Sequence, residues 1–524
     1  MDEHVDVVVV GAGPVGLLAA IELTLGGARA IVLERLAAPS LASKALGLGP
    51  LGSEALQRRG LGAALAAEEA RVVAAMQALP VQAGAAARGP GSRFSGHFAG
   101  LSLIRKDAQR EPGRRARPVA QPAIEAMLAE RVHALGIEVR RQHEVTGLVQ
   151  LAHAVDVHVA SPEGRRTLRC AWLVGCDGGR SAVRKQAGFE FPGTPPTSTF
   201  YQASAEIDHP ERLLPVGWHR TSGGVFSYGP FPGRLFMLDF SGPPADRQAP
   251  VTRAEIEAVL REVSGADVRV NALADASRWT DNTRLVDSLR RGRVLLAGDA
   301  AHVHSPFGGQ GLGLGLADAA NLGWKLAAVV RGDMPETLLD TYTAERRPVA
   351  EAVLSNTLAQ AAIMRPDAQS GAMRELVARL MQLDDANRLI GETTSGLGTR
   401  YDLGSARDDV GRLAGDRMLG DVALYDLMQD GAGLLLDATP QGQASALAAA
   451  ATSRIRCVAV DACPSMLIRP DACVAWAADG QDIDGLAPAL QRWFKPAGAP
   501  GAGALSTLPI PPGTPLATSP PCTA

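Results

Sequence analysis

The pattern of apolar positions at the start of the chain predicts a strand, a helix and a second strand. Asp6 is followed by four consecutive valines, a β-branched run of the kind that is buried on both faces of a parallel sheet. Residues 17–25 form an apolar stretch that fits a helix, and residues 29–33 form a second apolar run that ends at Glu34. Residues 5–35 therefore predict a β-α-β unit.

Farther along, the pattern alternates between helical and strand periods. Residues 123–135 have apolar positions at helical spacing, and residues 145–159 and 166–174 follow as hairpin-like strands. Residues 190–280 alternate apolar and polar positions, are interrupted by a helical stretch at 253–263, and concentrate aromatic residues. This pattern predicts an antiparallel sheet whose aromatic side chains either receive a flat apolar substrate or form an ordinary core.

A glycine motif lies between the first predicted strand and helix. Gly11, Gly13 and Gly16 form a G-x-G-x-x-G sequence, and Glu34 follows Gly11 by 23 residues. Gly11 permits a tight turn, Gly13 lets the backbone approach a pyrophosphate, and Gly16 lets the helix pack close to the strand. Because strand, turn, helix, strand and acid all fall in register, this motif predicts a dinucleotide site with phosphate at the helix N-terminus.

Two later turns also follow predicted strands. Asp177-Gly178 ends an apolar strand, although this pair by itself is also typical of an ordinary turn. Gly298-Asp299 follows the predicted strand 294–297, at the end where open α/β sheets bind ligands. Residues 306–315 contain five glycines and lead into a predicted helix at 316–330. A glycine-rich helix start offers unhindered N–H groups to a polar or anionic atom.

Composition narrows the class of protein. The 524 residues carry a net charge of −3, which does not favour nucleic acid as a partner. The six cysteines form no C-x-x-C motif and no cluster with histidine, so neither a disulfide framework nor a metal site is predicted, and the cytoplasm is the expected compartment. The sequence shows no signal peptide and no apolar run of membrane-spanning length.

The three motifs together resemble the fingerprints of the single-component FAD-dependent aromatic hydroxylases, the class typified by para-hydroxybenzoate hydroxylase. The resemblance covers about residues 5–395 and is closest to the aromatic polyketide hydroxylases and rifampicin monooxygenases. It implies an α/β fold with a Rossmann-like FAD-binding domain at 1–180 and 281–395. It also implies a substrate-binding β-sheet domain at 181–280 and a thioredoxin-like domain at 400–496.

The resemblance also implies roles for individual residues. Asp299 would bond the ribityl hydroxyls, Asp177 would contact both FAD and NAD(P)H, and Pro306 and Gly311 would position the flavin ring for catalysis. The implied cofactor-binding residues are Gly11, Gly13, Pro14, Gly16, Glu34, Arg35, Lys44, Gln121, Asp177, Gly178, Asp299, Pro306, Gly309, Gly311, Leu312 and Gly313. Two positions depart from the family pattern: Gly313 stands where asparagine is usual, and Lys44 where arginine is usual.

The implied reaction is hydroxylation of a polycyclic phenol or quinone, with NAD(P)H, O₂ and a flavin C4a-hydroperoxide. Candidate substrate residues are His97, Tyr201, Phe226, Tyr228 and Phe236, although strand register cannot be fixed from one sequence. A Baeyer–Villiger oxygenase on the same scaffold and a flavin-binding protein without turnover remain alternatives. The absence of a W-x-W-x-I-P motif argues against a tryptophan-type halogenase.

The C-terminal part has a different character. Residues 400–496 predict a small α/β unit without a C-x-x-C motif, which suits a structural or dimer-forming role in a monomer or homodimer. Residues 497–524 are rich in proline, glycine, serine and threonine, a composition that predicts disorder.

Overall fold

The computed structural model describes residues 4–39, 45–78, 93–229, 231, 233–247, 249–461 and 463–494. Lys44 and the predicted disordered tail therefore lie outside the described residues. The chain divides into two compact units. The first comprises Met1–Arg331 and Glu336–Thr399, and the second comprises Gly332–Pro335 and Arg400–Ala524. Our finer division of the first unit into a cofactor domain and a substrate domain stays a prediction.

The first unit contains both strands and helices. Its strands are β1 His4–Val10, β2 Ala30–Glu34, β3 Phe94–Phe98, β4 Leu101–Arg105, β5 Glu138–Arg141, β6 Glu144–Gln150, β7 Val155–Ser161, β8 Gly164–Gly175, β9 Gly193–Thr194, β10 Thr199–Ile207, β11 Gly217–Arg220, β12 Val225–Tyr228, β13 Arg234–Asp239, β14 Val270–Thr280, β15 Thr283–Leu285, β16 Arg290–Arg291, β17 Val294–Leu296 and β18 His302–Val303. Its helices are α1 Pro14–Leu25, α2 Pro50–Leu56, α3 Gly62–Gln77, α4 Gln121–Ala134, α5 Ala182–Gln186, α6 Arg253–Ser264, α7 Gly311–Val330, α8 Asp340–Met364, α9 Ala368–Leu380 and α10 Asp384–Ser395.

The largest sheet has eight strands, with the order β16-β17-β8-β1-β2-β5 and with β7 and β6 added beside β8. Strand β1 pairs in parallel with both β2 and β8, and β8 pairs in parallel with β17. The valines of β1 are at most 6% exposed, as expected for a strand covered on both faces. The predicted β-α-β unit is confirmed, but α1 begins at Pro14 rather than at residue 17, because proline fits the first turn of a helix.

Helix α7 runs alongside α1 with its backbone in close approach. A Cβ on Gly323 would lie 2.2 Å from the Cβ of Glu22, and a Cβ on Gly315 would lie 2.7 Å from the Cγ2 of Val15. Larger side chains at these two positions would therefore push the helices apart. Helix α7 begins at Gly311, five residues before the predicted start, despite the poor helix propensity of its glycines.

A second sheet of five strands forms a separate layer, with the antiparallel order β11-β12-β13-β10-β14. One of its faces packs against α6 through residues such as Ile256 and Leu260, and we call this the helix face. The opposite face packs against Phe98 and Phe307, and we call this the site face. Residues 190–280 thus form the antiparallel sheet with one interrupting helix that the sequence predicts.

The second unit is a small α/β structure. Its strands are β19 Met418–Leu419, β20 Val422–Ala423, β21 Gly433–Asp437, β22 Ile455–Ala459, β23 Ser465–Ile468 and β24 Val474–Ala478, and its helices are α11 Gln443–Ala451 and α12 Leu486–Trp493. The main sheet has the order β22-β21-β23-β24, in which only the β21–β22 pair is parallel. A β-α-β half followed by a β-β-α half agrees with the predicted thioredoxin-like arrangement.

Candidate active site

The carboxyl ends of four parallel strands bring the predicted motifs together at one edge of the large sheet. The turn after β1 begins at Gly11, which has a φ of +106°, and a Cβ there would lie 2.5 Å from the carbonyl oxygen of Cys176 at the end of β8. A Cβ on Gly16 would lie 1.9 Å from the carbonyl oxygen of Gly11, whereas a Cβ on Gly13 would meet no atom within 4 Å. Gly11 and Gly16 are thus required by packing, and Gly13 faces open space.

The carboxylate of Glu34 lies against this turn. Its Oε2 accepts a hydrogen bond from the backbone N–H of Ala12 at 2.8 Å, and its Oε1 accepts one from the N–H of Leu36 at 2.8 Å. These two bonds hold the acid beside the glycine turn, where its remaining lone pairs can accept hydroxyl groups. Arg35, the next residue, is exposed.

Asp177 and Gly178 follow β8 at the same edge. The Oδ2 of Asp177 accepts hydrogen bonds from the N–H groups of Ala182 and Val183, at 2.6 and 3.1 Å, at the start of α5. Its Oδ1 is buried and has no hydrogen-bond partner among the described residues. Since buried carboxylate oxygens are normally paired, this atom indicates a donor supplied by a ligand.

Asp299 lies on the turn after β17, and its side chain is exposed. The preceding Gly298 has a φ of +62°, and its N–H donates to the Oδ2 of Asp318 on α7 at 3.1 Å. Asp318 is buried between His302 and Arg346: its Oδ2 lies 2.6 Å from His302 Nε2, and its Oδ1 accepts from Arg346 Nε at 2.8 Å. Helices α7 and α8 thereby hold the turn that presents Asp299.

Asp318 stays ionised in this buried cluster. Burial by itself would raise the pKa of Asp318, but Arg346 and His302 outweigh that effect and hold the pKa below its ordinary value. We did not predict Asp318, His302 or Arg346 from the sequence. A usable signal was present, because Asp318 lies in an otherwise apolar stretch of α7, where a charge needs a partner.

The glycine-rich segment before α7 forms the opposite part of the site. Gly308 and Gly309 have φ values of +80° and +62°, and no side chain caps the first turn of α7. The N–H groups at Gly311, Leu312 and Gly313 therefore lie at a helix start, where backbone donors have no helical acceptor. Pro306 directly precedes the short 3₁₀ helix that leads to these residues.

A histidine that we did not single out lies beside this helix start. The Nδ1 of His304 donates to the carbonyl oxygen of Ser305 at 2.7 Å, and its Nε2 lies 3.3 Å from the position of a Cβ on Gly311. Burial lowers the pKa of His304, so the imidazole is neutral near pH 7.

The remaining predicted cofactor residues take different places. Gln121 opens α4 and donates from Nε2 to the Oε1 of Glu125 at 2.8 Å, which leaves its amide oxygen available. The position of a Cβ on Gly313 has its nearest neighbour 3.9 Å away, so the usual asparagine would fit there. Lys44 lies outside the described residues, and its predicted phosphate contact stays a prediction.

Phe236 lies on the site face, in a cluster of rings that we call the aromatic wall: Phe200, Trp218, Phe236, Trp279 and Phe307. The ring of Phe307 lies 5.5 Å from that of Phe200 in an edge-on arrangement, and the ring of Trp218 lies 4.9 Å from that of Phe236. The rings of Phe200 and Trp279 stack at 6.1 Å. His97 joins this wall, with its ring 5.5 Å from that of Trp218.

Tyr201, Phe226 and Tyr228 are placed elsewhere, which corrects our expectation that they line the substrate pocket. All three lie on the helix face and pack in the core against α6. Burial and the nearby carboxylate of Glu255 raise the pKa of Tyr201 to about 12. Side chains alternate between the two faces of a strand, so the neighbours Phe200 and Tyr201 point to opposite faces and only one of them can lie on the site face.

The residues at this edge fit FAD. The space at Gly13, the orphaned buried oxygen of Asp177, the exposed carboxylate of Asp299 and the uncapped start of α7 are what a dinucleotide with a polar ribityl chain requires. Among the described residues, no group of three or more acidic, histidine or cysteine side chains is arranged to hold a metal ion.

Comparisons with known proteins show the family of this chain. Residues 4–357 match the family described as FAD binding domain, and residues 408–497 match the aromatic-ring hydroxylase C-terminal family. The chain is 40% identical to the 12-dehydrotetracycline 5-monooxygenase/anhydrotetracycline 6-monooxygenase of Streptomyces rimosus, over 94% of this chain and 99% of the relative. It is 38% identical to the rifampicin monooxygenase of Streptomyces venezuelae, over 95% of this chain and 100% of the relative.

A solved structure shows the same architecture. The OxyS anhydrotetracycline hydroxylase from Streptomyces rimosus superposes with a TM-score of 0.81 at 38% identity, covering 94% of this chain and all of that chain. Fold, motifs and relatives agree along nearly the whole length. This chain therefore belongs to the FAD-dependent aromatic-ring hydroxylases, and its cofactor is FAD.

Proposed function

We propose that this monooxygenase uses NAD(P)H and O₂ to hydroxylate a polycyclic aromatic phenol or quinone. The observation that carries the proposal is the aromatic wall, which begins at Phe307, directly after the predicted flavin-positioning Pro306, and continues across the site face. Stacked and edge-on rings favour a flat aromatic partner. The names of two relatives, an anhydrotetracycline 6-monooxygenase and a rifampicin monooxygenase, support a polyketide-derived substrate.

In this proposal, the residues at the sheet edge hold the cofactor. Gly11, Gly13 and Gly16 with the start of α1 receive the pyrophosphate, and Glu34 accepts the hydroxyls of the adenosine ribose. Asp299 accepts hydrogen bonds from the hydroxyls of the ribityl chain, and Asp177 accepts a hydrogen bond from another part of the cofactor. The bound flavin supplies reduction of O₂ by two electrons from NAD(P)H, so that one oxygen atom enters the ring and the other leaves as water.

The start of α7 and the aromatic wall then control the reaction. The N–H groups at Gly311 and its neighbours, at the positive end of the helix dipole, stabilise negative charge on the reduced cofactor. Pro306 and Phe307 border the reacting region, and the buried rings of Phe200 and Phe307, at 0% and 2% exposure, keep water out. His304, neutral and beside Gly311, adds no positive charge that would compete with the helix.

NAD(P)H is proposed to bind transiently. Within the described residues, one β-α-β unit carries the dinucleotide glycine motif, and FAD occupies that motif in this proposal. The nicotinamide cofactor must therefore approach the flavin from the same open edge of the sheet. A cytoplasmic location and a monomeric or dimeric state are parts of the proposal; the free thiols of the described cysteines support a reducing compartment. Among the described helices, none is both long and apolar enough to cross a membrane.

The test is a screen of polycyclic hydroxyquinones and phenols for stimulation of NADPH and NADH oxidation by the FAD-loaded protein, with the product analysed by mass spectrometry and NMR. We expect a product that gains one oxygen atom and keeps its ring system. A product that takes up water on mild alkaline hydrolysis would be a lactone. The reaction would then be a Baeyer–Villiger oxidation and not a hydroxylation. If the amount of H₂O₂ formed equalled the amount of NADPH consumed for every compound, the proposed hydroxylation would be wrong.

A further inference from the structure

The site face of the five-stranded sheet is divided into an aromatic part and a polar part. On β10, Phe200, Gln202 and Ser204 point toward the site in turn, because alternate residues share a face. Phe200 belongs to the aromatic wall, whereas Ser204 is paired across the sheet with Arg234 on β13. The polar part therefore begins two residues beyond Phe200 and continues away from Phe307.

Gln202 is buried in this polar part without a hydrogen bond. Its side chain is 4% exposed, and its Nε2 has no partner among the described residues. It lies opposite Phe236 on β13 and Ser277 on β14. A buried amide that bonds nothing is costly to the fold and rare in native proteins, so this group indicates a partner from outside the chain.

Arg234 presents a second set of unused donors on the same face. Its Nη1 donates to the Oγ of Ser204 at 2.7 Å and lies 3.5 Å from the Oδ2 of Asp275, whose side chain is 43% exposed. Its Nε and Nη2 are buried and have no hydrogen-bond partner among the described residues. These two atoms form the side-on fork of the guanidinium, which matches two oxygens of one acceptor.

The position of the fork constrains the length of its ligand. Ser204 lies four residues from Phe200 along β10, a separation of about 13 Å at the usual rise of a strand. A molecule that reaches from Phe307 and Phe200 to Arg234 thus needs several fused rings. Its far end must carry oxygens that accept two parallel hydrogen bonds.

We propose that Arg234 and Gln202 form a recognition subsite for an anionic two-oxygen group, a carboxylate or an enolised diketone, at the far end of a polycyclic substrate. The proposal rests on the proposed function, since it assumes that the aromatic wall receives the substrate. The fork of Arg234 binds the two oxygens, and the Gln202 amide bonds a neighbouring hydroxyl or carbonyl. Binding in this way places the opposite end of the ring system beside Phe307, so the subsite also decides which ring is hydroxylated.

Binding of two matched probes to the FAD-loaded full-length protein tests this subsite. Rhein is a dihydroxyanthraquinone carboxylic acid, and aloe-emodin carries a neutral hydroxymethyl group in the same position. Dissociation constants come from the change in flavin absorbance on titration. We expect rhein to bind at least about tenfold more tightly than aloe-emodin, because only the carboxylate makes two charge-assisted bonds.

Substitutions then locate the effect. Arg234→Lys keeps the charge but loses the fork, and it should weaken rhein binding about 10- to 100-fold while changing aloe-emodin binding by less than about twofold. Gln202→Leu should weaken both probes and leave the melting temperature unchanged or higher, since it removes an unpaired buried amide. Arg212→Lys, an exposed arginine whose Nη1 contacts only a backbone carbonyl, is the matched control and should change neither probe.

The outcomes separate the subsite from the reaction. Anhydrotetracycline, which offers an enolised diketone, is the third probe. The subsite would be overturned if the parent protein bound rhein and aloe-emodin equally well and the Arg234→Lys variant bound anhydrotetracycline as tightly as the parent does. The subsite would also be overturned if Arg234→Lys lowered the melting temperature and lost binding of both probes, because that result indicates a structural role for Arg234. If anhydrotetracycline alone depends on Arg234, the group is a diketonate. If rhein binds through Arg234 but no polycyclic quinone stimulates NADPH oxidation, the subsite stands and the proposed function fails.

Discussion

Replacing Asp318 by asparagine should destabilise the first unit more than any other single change of charge at the site. Asp318 is fully buried, and it is the shared acceptor for Arg346, His302 and the N–H of Gly298. Asparagine keeps the shape of the side chain but removes the negative charge that the guanidinium of Arg346, which is 1% exposed, contacts at 2.8 Å. Removal of one partner from a buried ion pair costs about 3–5 kcal/mol of unfolding free energy.

The magnitude can be converted to a melting temperature and to a pH dependence. For a unit of this size, a loss of about 3–5 kcal/mol should lower the melting temperature by roughly 4–6 °C. Because the folded-state pKa of Asp318 is lowered, its contribution is present above its ordinary pKa of about 4 and is lost as the pH falls through the folded value. The parent and the Asp318→Asn variant should therefore differ at pH 6–8 and converge below about pH 4.

The assay is thermal unfolding of the FAD-loaded and the cofactor-free protein by circular dichroism across this pH range, with flavin release followed in the FAD-loaded samples. Asp299→Asn is the matched control, because Asp299 is exposed and its change should affect flavin release but leave the melting temperature of the cofactor-free protein unchanged. A shift of less than about 2 °C for Asp318→Asn at pH 7 would refute the argument that this buried cluster stabilises the turn.

Three further predictions follow from the site. Asp299→Ala should weaken FAD binding by about one to two orders of magnitude, as measured by fluorescence titration, because it removes a charge-assisted hydrogen bond of about 1.5–3 kcal/mol; unchanged affinity would exclude the proposed role. Phe236→Ala should raise KM or increase the share of NADPH lost as H₂O₂, whereas Phe226→Ala should instead lower stability by about 3–5 kcal/mol with KM unchanged; the reverse result would contradict the assignment of faces. Joint replacement by alanine of Cys457, Cys463 and Cys473 in the second unit should leave turnover unchanged, since burial raises the pKa of the Cys457 thiol and none of the three forms a disulfide. A folded but inactive variant would disprove this.

The parts of the fold that depend on local chemistry could be predicted from the sequence. The valine run, the glycine turn and Glu34 are fixed by backbone sterics and by burial on both faces, so the β-α-β unit appears where the pattern places it. The start of α7 could not be predicted, because glycine has a poor helix propensity and the first residues of α7 include Gly311, Gly313 and Gly315.

Which residues lie on each face of the five-stranded sheet could not be predicted from one sequence. Both phases of β10 contain an aromatic residue, Phe200 in one and Tyr201 in the other, so alternation alone does not tell which phase meets the site. The structure decides this through α6, which covers the Tyr201 phase, and through Phe307, which covers the Phe200 phase. Contacts between residues far apart in the sequence carry that information.

The close approach of α1 and α7 has a consequence for engineering this enzyme. One helix starts at the glycine turn that we propose for the phosphates, and the other starts at the segment that we propose for the flavin ring. Gly315 and Gly323 fix the spacing of the two helices. A library that varied these glycines would change the distance between the two starts and would lose the coenzyme before it gained a new activity. Diversity for a new substrate range belongs on the site face of the five-stranded sheet, where side chains can change without moving either helix.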